Sequence, residues 1–371
     1  MHESTINPWR ILWKTIVILL IINFAFPLIG FIHFPEISFY NSIFPGRQRL
    51  PFGENPELAY NLTLNDLNAM RASHVVAASD AESEYSIFII GDSSIWGTLL
   101  ENNATVSKKL QNHYDATTNA ENDPIHVYNL GYPTSSTLKD LVILEKALEY
   151  KPDMVIWFVT LNSLVKDSYQ EAPILLNNPE ATNAVISKYE LDIPFLPEQS
   201  YWDKTFINQR RDIYDRIHLQ MVAPMWASTG IDQYIPDEYT PAARDLEADD
   251  SYEYIEGHSI AGTDLDLSVI SNFISENPNV QILVVNEPIL ISSGLNSDIR
   301  YNLYYPRWIY DDYRELLSTK FEELEIKYID LWNAVPDSMF TNSAIHYNEQ
   351  GVDIVAGKIY SFITKDLLEK Q

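Results

Sequence analysis

The chain contains no cysteine. That absence excludes disulfides, thiolate zinc sites, iron–sulfur clusters and a cysteine nucleophile, but selects no redox compartment. Basic residues are scarce: Lys plus Arg number 25 against 52 Asp plus Glu, giving a net charge of −27 and a pI near 4.5. A field of that sign repels phosphate backbones, so nucleic acid is not an expected partner. A Gly-rich phosphate loop, an HExxH helix and a dinucleotide fingerprint are also missing, so neither a cofactor nor a metal is read from motifs. The acidic run Asp245, Glu247, Asp249 and Asp250 lacks the glycine and ordered spacing of a calcium loop and reads as a solvated charge run. There are no repeats or low-complexity tracts. What the chain does have is apolar mass: 46% of 371 residues, with 8 Trp, 23 Tyr and 15 Phe. That suffices for a large core and excludes global disorder. The length fits one enlarged domain or two ordinary ones.

The apolar residues are unevenly spread. Ile16 to Ile32 reads IVILLIINFAFPLIGFI, without a charge. With its flanks it reaches the length needed to cross a hydrocarbon core of about 30 Å. Asn23 and Pro27 lower its quality without forbidding a span. Trp9 and Trp13 stand at one end beside Arg10 and Lys14, as interface anchors do. The run is longer than a signal-peptide core and no small-x-small site follows, so an uncleaved anchor is expected. Arg10 and Lys14 favour a cytoplasmic N-terminus, an inference opposed in part by Arg47 and Arg49 at the far end. The expected layout is a cytoplasmic tail (1–8), a single-pass anchor (9–34) in the cell membrane, a Pro- and Gly-punctuated connector (35–83), and everything beyond on the outer side. Asn61-Leu62-Thr63 and Asn103-Ala104-Thr105 fit the glycosylation pattern, which matters only in a glycosylating host.

From residue 84, short apolar runs alternate with helical periods. Strands are predicted at Tyr85–Ile90, Ile125–Leu130, Met154–Thr160, Val280–Val285 and Lys327–Leu331. Helices are expected around Leu64–His74, from Thr105, after the capping Ser136, over about 265–276 and 309–325, and from Glu349 to Leu368. The alternation implies an α/β fold with a mostly parallel five-stranded sheet covered on both faces. Residues 164–262 break the rhythm. Rich in Tyr, Trp, Pro and acid, with a helix expected from about Trp202 to Met225, they read as an inserted cap or lobe near the active face, or equally as a solvated decoration.

Ligands of such sheets bind beyond the carboxyl ends of the strands. Strand one ends in Gly91-Asp92-Ser93, strand two in Asn129-Leu130-Gly131, and strand three in Thr160-Leu161-Asn162-Ser163. A histidine, His346, precedes the final helix. A serine hydroxyl becomes nucleophilic when an adjacent base takes its proton, and histidine is the usual base. The backbone N–H groups of Ser93 and Gly131 and the amide of Asn162 are suitable donors for an oxyanion.

These four residues in this order resemble the SGNH (GDSL) hydrolase family, whose named residues are Ser, Gly, Asn and His. The resemblance covers about 84–168 and 262–368, so 84–163 with 263–371 is the expected hydrolase domain. It implies a flavodoxin-like three-layer α/β/α sandwich, Ser93 and His346 as catalytic residues, and an oxyanion site from Ser93, Gly131 and Asn162. Thr160 and Ser163 replace the usual Gly and Asp of the third block. The last block also departs: the family pattern is Asp-x-x-His, whereas Ser343 stands three residues before His346 and Asn342 four. Asn342 or Ser343 is the candidate to orient the imidazole; Asp330 and Asp337 are candidate substitute acids, more simply read as strand-end and turn residues. The leading expectation is a membrane-anchored extracytoplasmic serine esterase that removes acyl groups, acetyl among them, from a glycan, small-molecule or lipid-like substrate. An O-acyltransferase acting on envelope glycans with the same nucleophile, and a degenerate envelope-binding scaffold, are the alternatives.

Overall fold

The computed structural model describes residues 7–29, 43, 67–72, 74–78, 85–117, 124–165, 172–229, 238–255, 257, 259–261 and 264–368. The connector Arg47, Arg49 and Asn61 therefore lie outside the described residues. In chain order the main elements are α1 (Pro8–Ile29), α2 (Leu67–Ala72), β1 (Tyr85–Ile90), α3 (Ser93–Trp96), α4 (Val106–Thr117), β2 (Ile125–Asn129), α5 (Thr137–Ala147), β3 (Met154–Val159), α6 (Leu161–Leu164), α7 (Pro173–Leu176), α8 (Pro179–Lys188), α9 (Phe206–Thr229), α10 (Ser268–Glu276), β4 (Gln281–Asn286), α11 (Arg307–Glu323), β5 (Lys327–Asp330) and α12 (Glu349–Leu368).

The five strands form one sheet in the order β2-β1-β3-β4-β5, and every pairing is parallel. Successive side chains on β1 show why both faces must be covered. Ile87 and Ile89 belong to a core under α4 and α12; Phe88 and Ile90 belong to one under α5, α10 and α11. Alternation with apolar residues at every position gives a three-layer sandwich. The chain leaves β1 for β2 on one side and returns to β3 on the other. This reversal opens a crevice at the carboxyl ends of β1 and β3, where the Ser93 and Asn162 segments begin.

Boundaries moved by one to four residues from expectation. The fourth strand runs one residue later and includes Asn286, because its ladder with β3 continues to Val159. The helix expected around Leu64–His74 is confined to Leu67–Ala72 within the described residues, with a 3₁₀ turn at Val75–Ala78. The helix in the insertion begins at Phe206 and extends to Thr229.

The 164–262 insertion does not act as one unit. α7 and α8 pack against α5. The start of α9 meets α1, the one described helix long and apolar enough to cross a membrane. Ala172 lines the cleft that holds Ser93, and among the described residues the last part, 238–255, returns to the same edge. There Arg300 acts as a staple. Its guanidinium donates to the carbonyls of Asp249 (2.6 Å), Ser251 (3.2 Å), Asn302 (3.3 Å), Leu303 (2.9 Å) and Tyr304 (3.2 Å). Trp308 Nε1 adds a bond to Asp250 O at 2.7 Å. Replacing Arg300→Met would leave several half-buried carbonyls without donors. It is expected to lower the unfolding free energy by about 1–3 kcal/mol, measured by urea denaturation; an unchanged midpoint would show that the staple is not structural.

Candidate active site

Strand β1 ends at Ile90, and Asp92 caps the short helix α3 by accepting Ser94 N–H at 2.8 Å. Ser93 is thereby set on the first turn, facing the crevice. Gly97, at φ +99°, turns the chain away again in a conformation that glycine adopts without strain. Gly131 packs so closely under this turn that a Cβ there would run into the Trp96 backbone nitrogen.

His346 comes from the other end of the chain. Its loop is pinned as a narrow ribbon: Phe340 and Tyr347 form an antiparallel bridge, Thr341 N–H donates to His346 O at 2.8 Å, and Leu290 N–H to Ala344 O at 2.7 Å. The result places Ser93 Oγ 2.7 Å from His346 Nε2. On the other side of the ring, Nδ1 lies 2.9 Å from Asn342 Oδ1. An amide oxygen can only accept, so this contact selects the tautomer with the proton on Nδ1, leaving Nε2 basic toward Ser93. Burial pushes the His346 pKa below its ordinary 6.5, with Asp92 pulling weakly the other way. The ring is therefore neutral at neutral pH.

Ser343 lines the cleft, but the Nδ1 partner is Asn342. Asp330 is held by Arg314 at 2.7 and 2.9 Å and by Asn286 at 2.8 Å. Asp337 stands near Arg244, 3.6 Å away. Both acids thus have partners other than the histidine.

Three oxyanion donors were expected, and their surroundings differ. Ser93 N–H has no hydrogen-bond partner among the described residues and sits beside its own Oγ. Asn162 is set by the first turn of α6, where Thr160 N–H donates to Ser163 Oγ at 2.9 Å and Ser163 Oγ donates to Thr160 O at 2.7 Å. Those are the two positions at which the third block departs from the family pattern. Tyr252, from the returning part of the insertion, donates its hydroxyl to Asn162 Oδ1. This bond fixes which end of the amide is the oxygen, and the N–H₂ group is its donor end. Gly131 N–H donates to Asn129 Oδ1 at 2.8 Å, so that bond has to open before this N–H can serve an oxyanion.

A buried polar layer lies beneath the serine. Lys139, fully buried, donates to Gly91 O at 2.8 Å and Tyr132 O at 2.6 Å and pairs with Asp140 at 2.7 Å. It ties together the chain segments leaving β1 and β2. Glu287, just past β4, accepts Ser94 Oγ at 2.7 Å. Burial, with Asp92 nearby, pushes the Glu287 pKa well up, so it stands as a neutral acid. Two adjoining carboxyls cannot both hold a charge cheaply out of water. Thr134, at φ +77° on the cleft wall, is the strained point of the site.

Sequence reasoning passed over Lys139, Glu287, Asn129 and Tyr252. Glu287 was findable, since the strand-end rule applied to strands one to three applies equally to β4. Lys139 and Asp140 are one of two adjacent charge pairs in their helix, the other being Glu145 and Lys146, and the sequence does not show which pair is buried. Nothing in the sequence tied Tyr252 to Asn162.

Ser93 and His346 open into a cleft of about 390 Å³ lined by Ser135, Asn162, Tyr254 and Tyr304 among others. Asn162, Tyr254 and Tyr304 also line an adjoining pocket of about 480 Å³, which adds Tyr252, Glu247, Asp249 and Glu253. The pair makes a continuous, tyrosine-rich and acidic path away from the serine.

No family model and no curated protein matches the sequence. Among solved structures, similarity is found to a lipase/acylhydrolase from Enterococcus faecalis. Identity is 14%, over 76% of this chain and 96% of that one, with a TM-score of 0.37. A carbohydrate acetylesterase family member from Sinorhizobium meliloti is similar at 12% identity, covering 76% and 97%, with a TM-score of 0.34. The psychrotrophic esterase EstA from a Pseudoalteromonas species gives 12%, 76% and 99%, and 0.36. Such values describe a distant likeness of chain course; what the cleft does rests on its own geometry.

If Tyr252 holds the Asn162 amide, Tyr252→Phe is expected to lower kcat about tenfold with KM nearly unchanged. That is less than the 10²–10³ typical of losing an oxyanion donor itself, the loss expected for Asn162→Ala. Steady-state kinetics on a chromogenic ester checks both; a Tyr252→Phe enzyme with wild-type kcat would remove the hydroxyl from the account.

Proposed function

We propose that the chain is a serine hydrolase of the SGNH type, an esterase working through an acyl-enzyme on Ser93. One observation carries the reading: Ser93 Oγ stands 2.7 Å from a histidine nitrogen whose ring is oriented by a side-chain acceptor. As Ser93 Oγ attacks the ester carbonyl, His346 Nε2 takes the hydroxyl proton. The tetrahedral oxyanion is received by Ser93 N–H and the Asn162 amide. The C–O bond to the alcohol then breaks, and His346 returns its proton to the departing oxygen. Water repeats the sequence, with His346 again as base, and frees the acid and Ser93.

Asn342 keeps the tautomer but brings no negative charge to the imidazolium. In a Ser-His-Asp protease, Asp to Asn lowers turnover about 10⁴-fold, through the wrong tautomer. Here the amide oxygen faces Nδ1, so the deficit is one of charge, and slow turnover is the expected consequence. The scaffold alternative has less to support it, because a retired site has no need of a seated serine and histidine.

The path beside the serine favours a hydroxyl-rich alcohol. Tyrosine faces and carboxylates suit a neutral or cationic sugar and repel phosphate, which argues for a glycan ester over a phospholipid. The adjoining pocket also provides room for an acceptor hydroxyl, the observation that favours acyl transfer as a second reading. A ratio of transfer to hydrolysis that rises above one with an added sugar decides for transfer.

We read α1 as a membrane anchor with the catalytic domain outside. Its apolar surface is uncovered over almost the whole span, and Arg10 and Lys14 mark a cytoplasmic end.

Three results are expected. Ser93→Ala abolishes p-nitrophenyl acetate hydrolysis, whereas hydrolysis persisting at the wild-type rate would sink the esterase reading. Protonated His346 cannot act as base, so kcat/KM is lost as pH falls through the lowered pKa. The acid limb therefore has its midpoint below 6.5. Asn342→Asp stabilises the imidazolium and moves the limb to higher pH; an unmoved limb would mean that residue 342 does not govern the ring.

A further inference from the structure

The insertion carries an apolar surface that the catalytic site does not use. α9 exposes Ile207, Tyr214, Ile217, Met221 and Met225, each 43–68% accessible. Their spacing of seven, three, four and four residues puts them along one helical face. Ala223, fully buried, lies on the opposite side. The stripe is therefore turned away from the body of the protein. Isolated exposed apolar residues are ordinary, but five in line on one helix mark an interaction surface.

The partner is indicated by what holds α9 in place. Asn23 of α1, only 6% accessible, accepts Ile207 N–H through its side-chain oxygen at 2.8 Å. The residue that weakens α1 as an apolar segment thus caps the first turn of α9. Tyr201 donates to Phe24 O at 2.5 Å. Phe24 meets Trp202 edge-on at 5.7 Å, and Phe26 meets Phe206 at 5.5 Å. Below this joint α1 is bare. From Trp9 to Asn23 the helix rises about 21 Å at 1.5 Å per residue. A hydrocarbon core is about 30 Å thick. With Trp9 at one boundary, the Asn23–Ile207 joint lies about 9 Å inside the opposite one, within the depth of about 5–10 Å that an interfacial helix reaches. Tyr201 and Trp202, exposed beside the joint, are residue types that gather near such a boundary. Arg210 is exposed within the stripe, its guanidinium donating to Ile207 O at 2.5 Å, and Arg211 is exposed at its flank, in a protein that is otherwise strongly acidic. Their stems can lie over apolar surface while the guanidinium groups meet lipid phosphates.

We infer that α9 is an interfacial helix, its Ile207–Met225 stripe seated in the headgroup–acyl boundary of the bilayer that α1 enters. This rests on the reading of α1 as an anchor. A single span leaves an attached domain free to swing; a second, lateral contact fixes its tilt over the surface. Burial of such a stripe reaches about 5–10 Å into the boundary.

The absence of cysteine makes the test direct. Single variants Met221→Cys, Met225→Cys, Asp215→Cys and Leu19→Cys are made in the full chain, labelled with a nitroxide and reconstituted into phosphatidylcholine–phosphatidylglycerol vesicles. Collision with oxygen, which concentrates in lipid, is compared with collision with a water-soluble nickel chelate. At Met221→Cys and Met225→Cys oxygen is expected to dominate, at a shallower depth than at Leu19→Cys, with the order reversed at Asp215→Cys. Nickel dominance at residues 221 and 225 with oxygen dominance at residue 19 overturns the interfacial helix and leaves the anchor standing. Nickel dominance at residue 19 as well overturns both. Spin–spin broadening at residues 221 and 225 assigns the stripe to a second copy of the chain, and also overturns the proposal.

Discussion

The hydrogen bond from Ser93 to His346 joins residues 253 positions apart in the chain, and most of the sandwich exists to bring them together. The serine rides on the first strand; the histidine rides on the loop before the last helix. Between them the sheet must run in the order β2-β1-β3-β4-β5, so that the crevice opens at β1 and β3. The parallel ladder fixes the height of each strand end. The helical layers then have to cover both faces, which is why the strands are apolar at nearly every position.

Polar groups under the crevice make its geometry stiff. Lys139 draws two backbone carbonyls and Asp140 into one buried cluster. Glu287 remains neutral beside Asp92 and braces Ser94. Buried groups of this kind are costly when left without partners. They hold the turn bearing Ser93 in one conformation, so that the His346 contact needs little rearrangement. The returning arm of the insertion adds Tyr252 from outside the sandwich, coupling the Asn162 amide to a segment fixed by Arg300.

Much of this was legible in the sequence because it follows from local patterns. Short β-rich apolar runs such as YSIFII read as covered strands, and the small or polar residues after them mark the carboxyl edge where ligands of such sheets bind. Asn342 was a candidate because its side chain can accept from an imidazole when no carboxylate is present. Other features depended on contacts between distant segments. Tyr252 is one tyrosine among 23, and its partner lies 90 residues away. The insertion looked like one lobe, since no composition change marks where its helices turn from α5 to α1 and back to the cleft. Asn23 looked like a flaw in an apolar helix; its cap on α9 exists only in three dimensions.

The central claim is that His346, held by the neutral Asn342, activates Ser93. Intact-mass analysis after treatment with a fluorophosphonate tests it most directly, because only an activated serine reacts quickly with such a probe. The account predicts one adduct, mapped to Ser93, formed much more slowly in His346→Ala. Absence of an adduct on the folded wild-type protein, or labelling at an equal rate without His346, would contradict it.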